Sequence, residues 1–304
     1  MKKIILISGP TASGKSKLAL NIAKKIKGEI INADSMQVYK EFSVLSSRPS
    51  KSDTKRVKHY LYGFLSVKKH FSTGEWLKLA KKKISNCIKK KKIPILVGGT
   101  GLYFNAITKG ISKIPKINKK HRNEVRALHS KIGQKKFYEE LIYFDPKSKG
   151  KISPTDTQRA IRAYEVKKFT NKSIYDWASN THSDFLDFDI RKIFINTPRE
   201  ELLENIKKRT NTMFENKCIE EVKNFLKIKI DKSLSANKII GVREISDYLR
   251  NSIATKEAIN LINIRTRQYA KRQNTWSRGH MITWKKLYSK DFLVLTRKVL
   301  KEIS

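Results

Sequence analysis

The chain has 304 residues, enough for one large domain or two moderate ones, and its 39% hydrophobic content is that of a folding chain, not a disordered one. Sixty-seven Lys and Arg against 27 Asp and Glu leave a net charge of +40; this field draws in polyanions, nucleic acid first among them, unless many of the lysines only solvate helix faces. Two distant cysteines, Cys87 and Cys218, and six scattered histidines offer neither a disulfide framework nor zinc-ligand spacing, and no apolar run approaches membrane-spanning length.

In chain order, Ile4–Ile7 reads as a buried strand rather than the core of an export signal, because polar Ser8 ends the run at once. A soluble, cytoplasmic protein is the expectation. "SGPTASGKS", Ser8 to Ser16, follows and fits the phosphate-loop pattern G-x-x-x-x-G-K-[ST]. Leu18, Ile22 and Ile26 then repeat at helical spacing, and Glu29–Asn32 forms a second short strand. Ser72 to Glu75 has capping-box spacing ahead of a long basic helix whose apolar face is Trp76, Leu77, Ala80, Ile84 and Ile88. Pro94–Val97 is a third strand. Strands separated by helices predict a parallel sheet with right-handed crossovers. Residues 112–183 lack buried strands and read as a helical insertion, with turns at Asp145-Pro146 and Ser153-Pro154. The sheet resumes at Ile193–Ile195. Thr197-Pro198-Arg199-Glu200 predicts an N-cap, a proline at the first helical position and a capping glutamate, and the remainder reads as helical.

Four stretches carry candidate chemistry. In the phosphate loop, Gly9, Pro10, Thr11, Ala12, Ser13, Gly14, Lys15 and Ser16 supply backbone N–H groups, a mobile cation and a hydroxyl able to ligate Mg²⁺. Asp34, beside Ser35 and Gln37 at the end of the second strand, is either a group that accepts a proton or hydrogen bond from an attacking atom, or an N-cap. The strand "IPILVGG" ends in Gly98-Gly99 where a nucleotide hydrolase or kinase would usually place an acid; the two glycines suit either close ligand approach or a tight turn. "TRQYAKRQNTWSRG" mixes Arg272 and Arg278 with Tyr269, Gln273 and Trp276, and places Gln268, Arg272 and Trp276 on one helical face. That is either a surface for single-stranded RNA or a helix docked on the core.

Taken in order, "GPTASGKS", "ADSMQVYK", "VGGTGLY", "DTQRAIRAYEV", "IGVREI" and "TRQYAKRQNTW" resemble the bacterial tRNA dimethylallyltransferases (isopentenyl-diphosphate:tRNA transferases) over nearly the whole chain. The resemblance implies an α/β, P-loop NTPase-like parallel sheet flanked by helices (residues 1–111 and 184–304), a helical insertion (112–183) set against the tRNA anticodon arm, and a helical C-terminal part. It further implies an enzyme whose partners are tRNA, dimethylallyl diphosphate and Mg²⁺; a monomer away from the membrane is the default expectation. The exocyclic N6 amine of the adenosine 3′ to the anticodon attacks the allylic carbon, and diphosphate leaves. Asp34, Thr11, Thr100 and Lys15 are then the implied catalytic group. Residues Gly9–Ser16 with Arg209 bind the prenyl diphosphate, and Ser16 binds the metal. The implied tRNA-facing residues are Asp34, Ser35, Met36, Gln37, Thr100 and Arg122, then Gln158, Arg159, Ala160, Ile161 and Arg162. Ile239, Ile240, Gly241, Val242, Arg243 and Glu244 follow, and last Arg272, Gln273, Trp276 and Arg278. Two departures from the family pattern stand out. Leu45-Ser46-Ser47-Arg48-Pro49 replaces G-T-A-K-P, and Lys217 stands where glycine is common, which predicts local strain if that residue is left-handed. Short of the resemblance, a small-molecule or nucleoside kinase and a non-catalytic RNA-binding module are the competing readings.

Overall fold

The structure, a computed structural model, describes residues 2–304. Six strands form one sheet: β1 (Lys2–Ser8), β2 (Gly28–Asn32), β3 (His59–Tyr60), β4 (Ile93–Gly98), β5 (Phe188–Ile195) and β6 (Lys285–Leu287). Their order is β3-β2-β4-β1-β5-β6 and every neighbouring pair is parallel. The predicted strands are present. The two edge strands, of two and three residues, go beyond the sequence expectation, and β6 interrupts the C-terminal part that reads as wholly helical. Pairs so short carry no periodicity of their own; they exist because a longer neighbour offers backbone partners.

The helices are α1 (Lys15–Lys25), α2 (Lys51–Arg56), α3 (Thr73–Lys89), α4 (Gly101–Thr108), α5 (Lys119–Phe144), α6 (Thr157–Thr170), α7 (Ile174–Ser179), α8 (Arg199–Glu215), α9 (Cys218–Lys227), α10 (Val242–Leu249), α11 (Thr255–His280) and α12 (Phe292–Ile303). The capping box at Ser72 and Glu75 opens α3 as its spacing predicts, and Trp76, Leu77, Ala80 and Ile84 are buried. One boundary differs. Pro198, not Thr197, is the N-cap of α8 and supplies no side-chain bond, while Glu200 and Glu201 in the first turn favour the positive helix end.

Residues 1–106 with 185–304 form one compact unit, and residues 107–184 a second. The first has an apolar layer in which Ile5, Ile7, Ile95 and Val97 meet Leu18 and Ile22 of α1 and Val299 of α12. A further cluster joins Val38, Phe42 and Leu45 to Val222 and Phe225 of α9 and Ile245 of α10. The second unit has its own core of Val125, Phe137, Leu141, Ala160, Ala163 and Tyr164, with α5 broken at Gly133 (φ 76°). In the first unit β1, β4 and β2 are neighbours. Their carboxyl ends therefore bring the phosphate loop, Gly98-Gly99 and Asp34 to one edge, the usual ligand edge of an open parallel sheet.

Candidate active site

The phosphate loop leaves β1 through Gly9, where any side chain would press on Ser13 Oγ and the Ile195 carbonyl at 2.9 and 3.0 Å. Ala12 (φ 64°) and Gly14 (φ 77°) are left-handed, a turn that lines up successive amides as an anion cradle leading into α1. Lys15 Nζ donates to the Pro10 carbonyl at 3.0 Å. Burial lowers its pKa to about 8; the negative charge of Asp34 opposes that shift and the Arg209 guanidinium adds to it. Arg209, on α8, donates to Thr11 Oγ1 and, at 3.4 Å, to the Leu45 carbonyl, while its Nε is buried with no hydrogen-bond partner. One turn earlier Asn205 donates to the Ala12 carbonyl at 3.3 Å. Both cations are thus held by neutral oxygens, so their charge is left for a ligand.

Asp34 sits in a braced turn. Asn32 accepts its N–H at 2.8 Å and donates to its carbonyl and to that of Leu61, each at 2.9 Å. The fully buried Trp76 donates to the Asn32 carbonyl at 2.9 Å and stacks on Tyr103, centroids 4.1 Å apart. Asp34 Oδ1 accepts the Met36 N–H at 2.9 Å, so the capping role is real for one oxygen. Around the carboxylate, burial raises the pKa values of Tyr62, Tyr103 and Tyr269, and the charge of Asp34 raises each further. The strand end opposite needs its glycines. A side chain at Gly98 would strike the Ala33 carbonyl, one at Gly99 the Gln273 amide, and one at Gly101 the Trp276 ring.

One side chain ties these pieces together. Gln273 accepts the Thr11 N–H at 2.8 Å and donates to the Gly99 carbonyl at 3.0 Å, linking α11 to two strand ends. Thr100 Oγ1 accepts the Ser35 N–H at 2.9 Å and donates to Ser35 Oγ at 3.2 Å, joining the third. Exposed Ser16 opens on a cavity of about 540 Å³ whose lining includes Lys17, Lys24, Arg48, Arg56 and Tyr62. The arrangement is a carboxylate and two cations held by neutral oxygens around a phosphate-binding turn, next to a basic cavity.

A family model described as IPP transferase matches residues 37–280. The chain is 58% identical over 285 residues to a tRNA dimethylallyltransferase of Pelagibacter ubique, covering 94% of this chain and 91% of that relative. The chain belongs to the IPP transferase family. A Rickettsia massiliae tRNA dimethylallyltransferase is 42% identical, covering 99% of this chain and 84% of the relative. The fold is similar to that of a crystal structure of a tRNA isopentenylpyrophosphate transferase from Bacillus halodurans (TM-score 0.70, 28% identity, 100% of this chain and 97% of that one). It is similar too to a eukaryotic dimethylallyltransferase acting on tRNA (TM-score 0.79, 25% identity, 91% and 70%).

The remaining segments implied by the IPP transferase resemblance divide by burial. Gln158 and Arg159 are exposed on the first turn of α6. Buried Glu165 faces Arg162 at 3.4 Å and Arg122 at 4.0 Å, turning two arginines from different helices toward one carboxylate. Ala160 (0% exposed) lies in the core of that unit, and Ile161 packs against it. Near α10, Ile239 and Val242 are core residues and Ile240 packs on the same cluster; Gly241 (φ 103°) lies against Leu45. Glu244 is 2% exposed and paired with Arg265 at 2.7 Å, which leaves Arg243 as that segment's exposed charge. On α11 the expected face of Gln268, Arg272 and Trp276 is rotated. Tyr269, Gln273 and Trp276 turn inward, whereas Gln268, Arg272 and Arg278 are exposed, because Trp276 packs on Gly101 and stacks on His280 (centroids 4.3 Å). Asn205 and Tyr62 lie outside every segment the sequence singles out, whereas Tyr103 and Tyr269 fall in "VGGTGLY" and "TRQYAKRQNTW" without a role at Asp34. Asn205 left one trace, its i, i+4 spacing from Arg209 on one helix face.

Proposed function

We propose that this protein transfers the dimethylallyl group of dimethylallyl diphosphate to the exocyclic N6 of the adenosine 3′-adjacent to the anticodon (position 37) of tRNA. The allylic C–O bond breaks with its electrons leaving on diphosphate, the new C–N bond forms, and the amine proton passes to Asp34. The observation that carries this reading is the pair Lys15 and Arg209, held by neutral acceptors beside the phosphate loop and facing the Asp34 carboxylate. An allylic carbon delocalises its developing positive charge, so the larger catalytic task is stabilising the departing diphosphate, and preorganised cations and amides in a water-poor site do that. Asp34 commits Oδ1 to the Met36 N–H, which fixes the carboxyl plane and leaves the second oxygen for the amine.

The exposed Ser16 hydroxyl at the start of α1 suits Mg²⁺, which typically takes one or two protein ligands and completes its shell with substrate phosphates and water. Held there, Mg²⁺ would supply further positive charge to the leaving group. Adenine must leave the loop stack to reach Asp34, and a loop base is cheaper to extrude than a duplex one. Exposed Gln158, Arg159, Arg243, Arg272 and Arg278 would hold the surrounding RNA. The test is incubation with unmodified tRNA, Mg²⁺ and dimethylallyl diphosphate, followed by mass analysis of the digested nucleosides. An adenosine heavier by one five-carbon prenyl group is expected; unmodified adenosine from folded, RNA-bound protein would overturn the reading.

A further inference from the structure

Glu221, in the first turn of α9, lies outside every segment that carries the family resemblance, yet its carboxylate is unusually occupied. It accepts the N–H groups of three successive residues, Ser43 (2.5 Å), Val44 (2.9 Å) and Leu45 (2.9 Å), and the Ser43 hydroxyl at 3.0 Å. The carbonyls of the same turn serve the active site. Leu45 O accepts from Arg209 at 3.4 Å, one of the two acceptors that aim this guanidinium, and Ser46 O and Ser47 O each accept from Gln37 Nε2 at 2.9 Å. Ser47 is left-handed (φ 50°), and Leu45 packs against Gly241. The turn 43–47 therefore has three of its amides on one carboxylate and three of its carbonyls on two side chains of the site, with Ser47 N–H and the Ser43 carbonyl closing the turn itself.

We propose that Glu221 is a positioning residue: it fixes the 43–47 turn so that Arg209 meets the diphosphate and Gln37 keeps its orientation beside Asp34. The inference rests on the diphosphate reading of Lys15 and Arg209. Without the charge on Glu221 three amides compete for a poorer acceptor or for water, the turn loosens, and Arg209 keeps only Thr11. Stabilisation of the diphosphate, bound and departing, then weakens, which lowers kcat as well as raising KM.

The test compares wild type, Glu221→Gln and, as control, Glu220→Gln at the neighbouring exposed position. Calorimetry with inorganic diphosphate and steady-state kinetics with dimethylallyl diphosphate are both read. For E221Q about tenfold weaker diphosphate binding and at least a matching fall in kcat/KM are expected, as for loss of a charge-assisted anchor, with E220Q unchanged. Adding E221Q to Arg209→Lys should cost little beyond Arg209→Lys alone, because Glu221 acts through that guanidinium. A lower melting temperature with unchanged Kd and kcat/KM, or fully additive losses, would overturn the role. A measurement on the wild type alone stands beside these. Exchange of the Ser43–Leu45 amides should slow about tenfold on diphosphate binding, if turn and ligand are coupled through Arg209, and unchanged exchange counts against it. Should wild type fail to bind diphosphate, the site reading falls and takes this inference with it; should wild type bind and E221Q match it, only Glu221's role falls.

Discussion

The sheet edge around the phosphate loop and the helical unit of residues 107–184 hold charge in different ways. At the edge, Lys15 and Arg209 are drawn out of water and anchored by carbonyl and hydroxyl oxygens, so burial lowers both pKa values and the charge of nearby Asp34 only partly offsets that shift. In the helical unit, Arg159 stays exposed over a closed apolar core, and Arg122 and Arg162 are turned by one buried acid, Glu165. Charge kept from solvent acts strongly on a small ligand at one fixed place. Charge left in solvent acts weakly, at many points along a partner, and is screened by salt. The first suits a step in which charge develops on one leaving group, the second suits grip on a long polyanion.

The change with the largest expected effect removes the carboxylate proposed to take the amine proton. Asp34→Asn should keep the Met36 hydrogen bond and tRNA affinity while lowering transfer about 10²- to 10⁴-fold, the range of a lost general base; single-turnover assays with a filter-binding control decide it. Lys15 comes next. Its pKa of about 8 keeps it protonated, and able to bind an anion, below that value. The free protein loses this proton as pH rises through 8, so diphosphate affinity should fall between about pH 8 and 9.5; Lys15→Met should bind about tenfold more weakly at pH 7 and show no such fall by calorimetry. A smaller effect should separate the two regions cleanly. Arg159→Ala with Arg162→Ala should weaken tRNA binding and lower its salt slope by about 1 for each tRNA phosphate that is no longer neutralised, leaving diphosphate binding unchanged. If diphosphate affinity moves as well, the separation of roles is wrong. The smallest belongs to neither region. Lys217 is left-handed at φ 65°, so Lys217→Gly should stabilise the fold by about 1 kcal/mol in denaturant melts without altering either affinity.

Much of the site was legible because its parts are local. Gly9 to Ser16 fold into an anion cradle through their own φ angles, and the apolar runs of β1, β2 and β4 declare a buried parallel sheet whose ends must share an edge. The strain at Lys217 follows from the resemblance, which has glycine at that position, and not from the residue itself; the structure holds it left-handed at φ 65°. Other features escaped for the opposite reason. The strands β3 and β6 are too short to pattern, and of the two readings of α11 the structure holds the docked one, because Trp276 packs on Gly101 and Gln273 bonds Thr11, pairings that spacing alone does not contain.

By itself the sequence determined the phosphate loop, the main strands of the sheet, the helical character of residues 112–183 and the ordered motifs of the family, since each is written in neighbouring residues and their periodicity. Only the tertiary structure decided which polar groups remain unspent. Arg209 is 198 residues from the Thr11 it bonds, Gln273 is 262 residues from the same loop, and Glu221 is 178 from the turn it holds. Pairings across such separations follow from how α8, α9 and α11 pack on the sheet, and the free charge left at Lys15 and Arg209 depends on which neighbours that packing supplies.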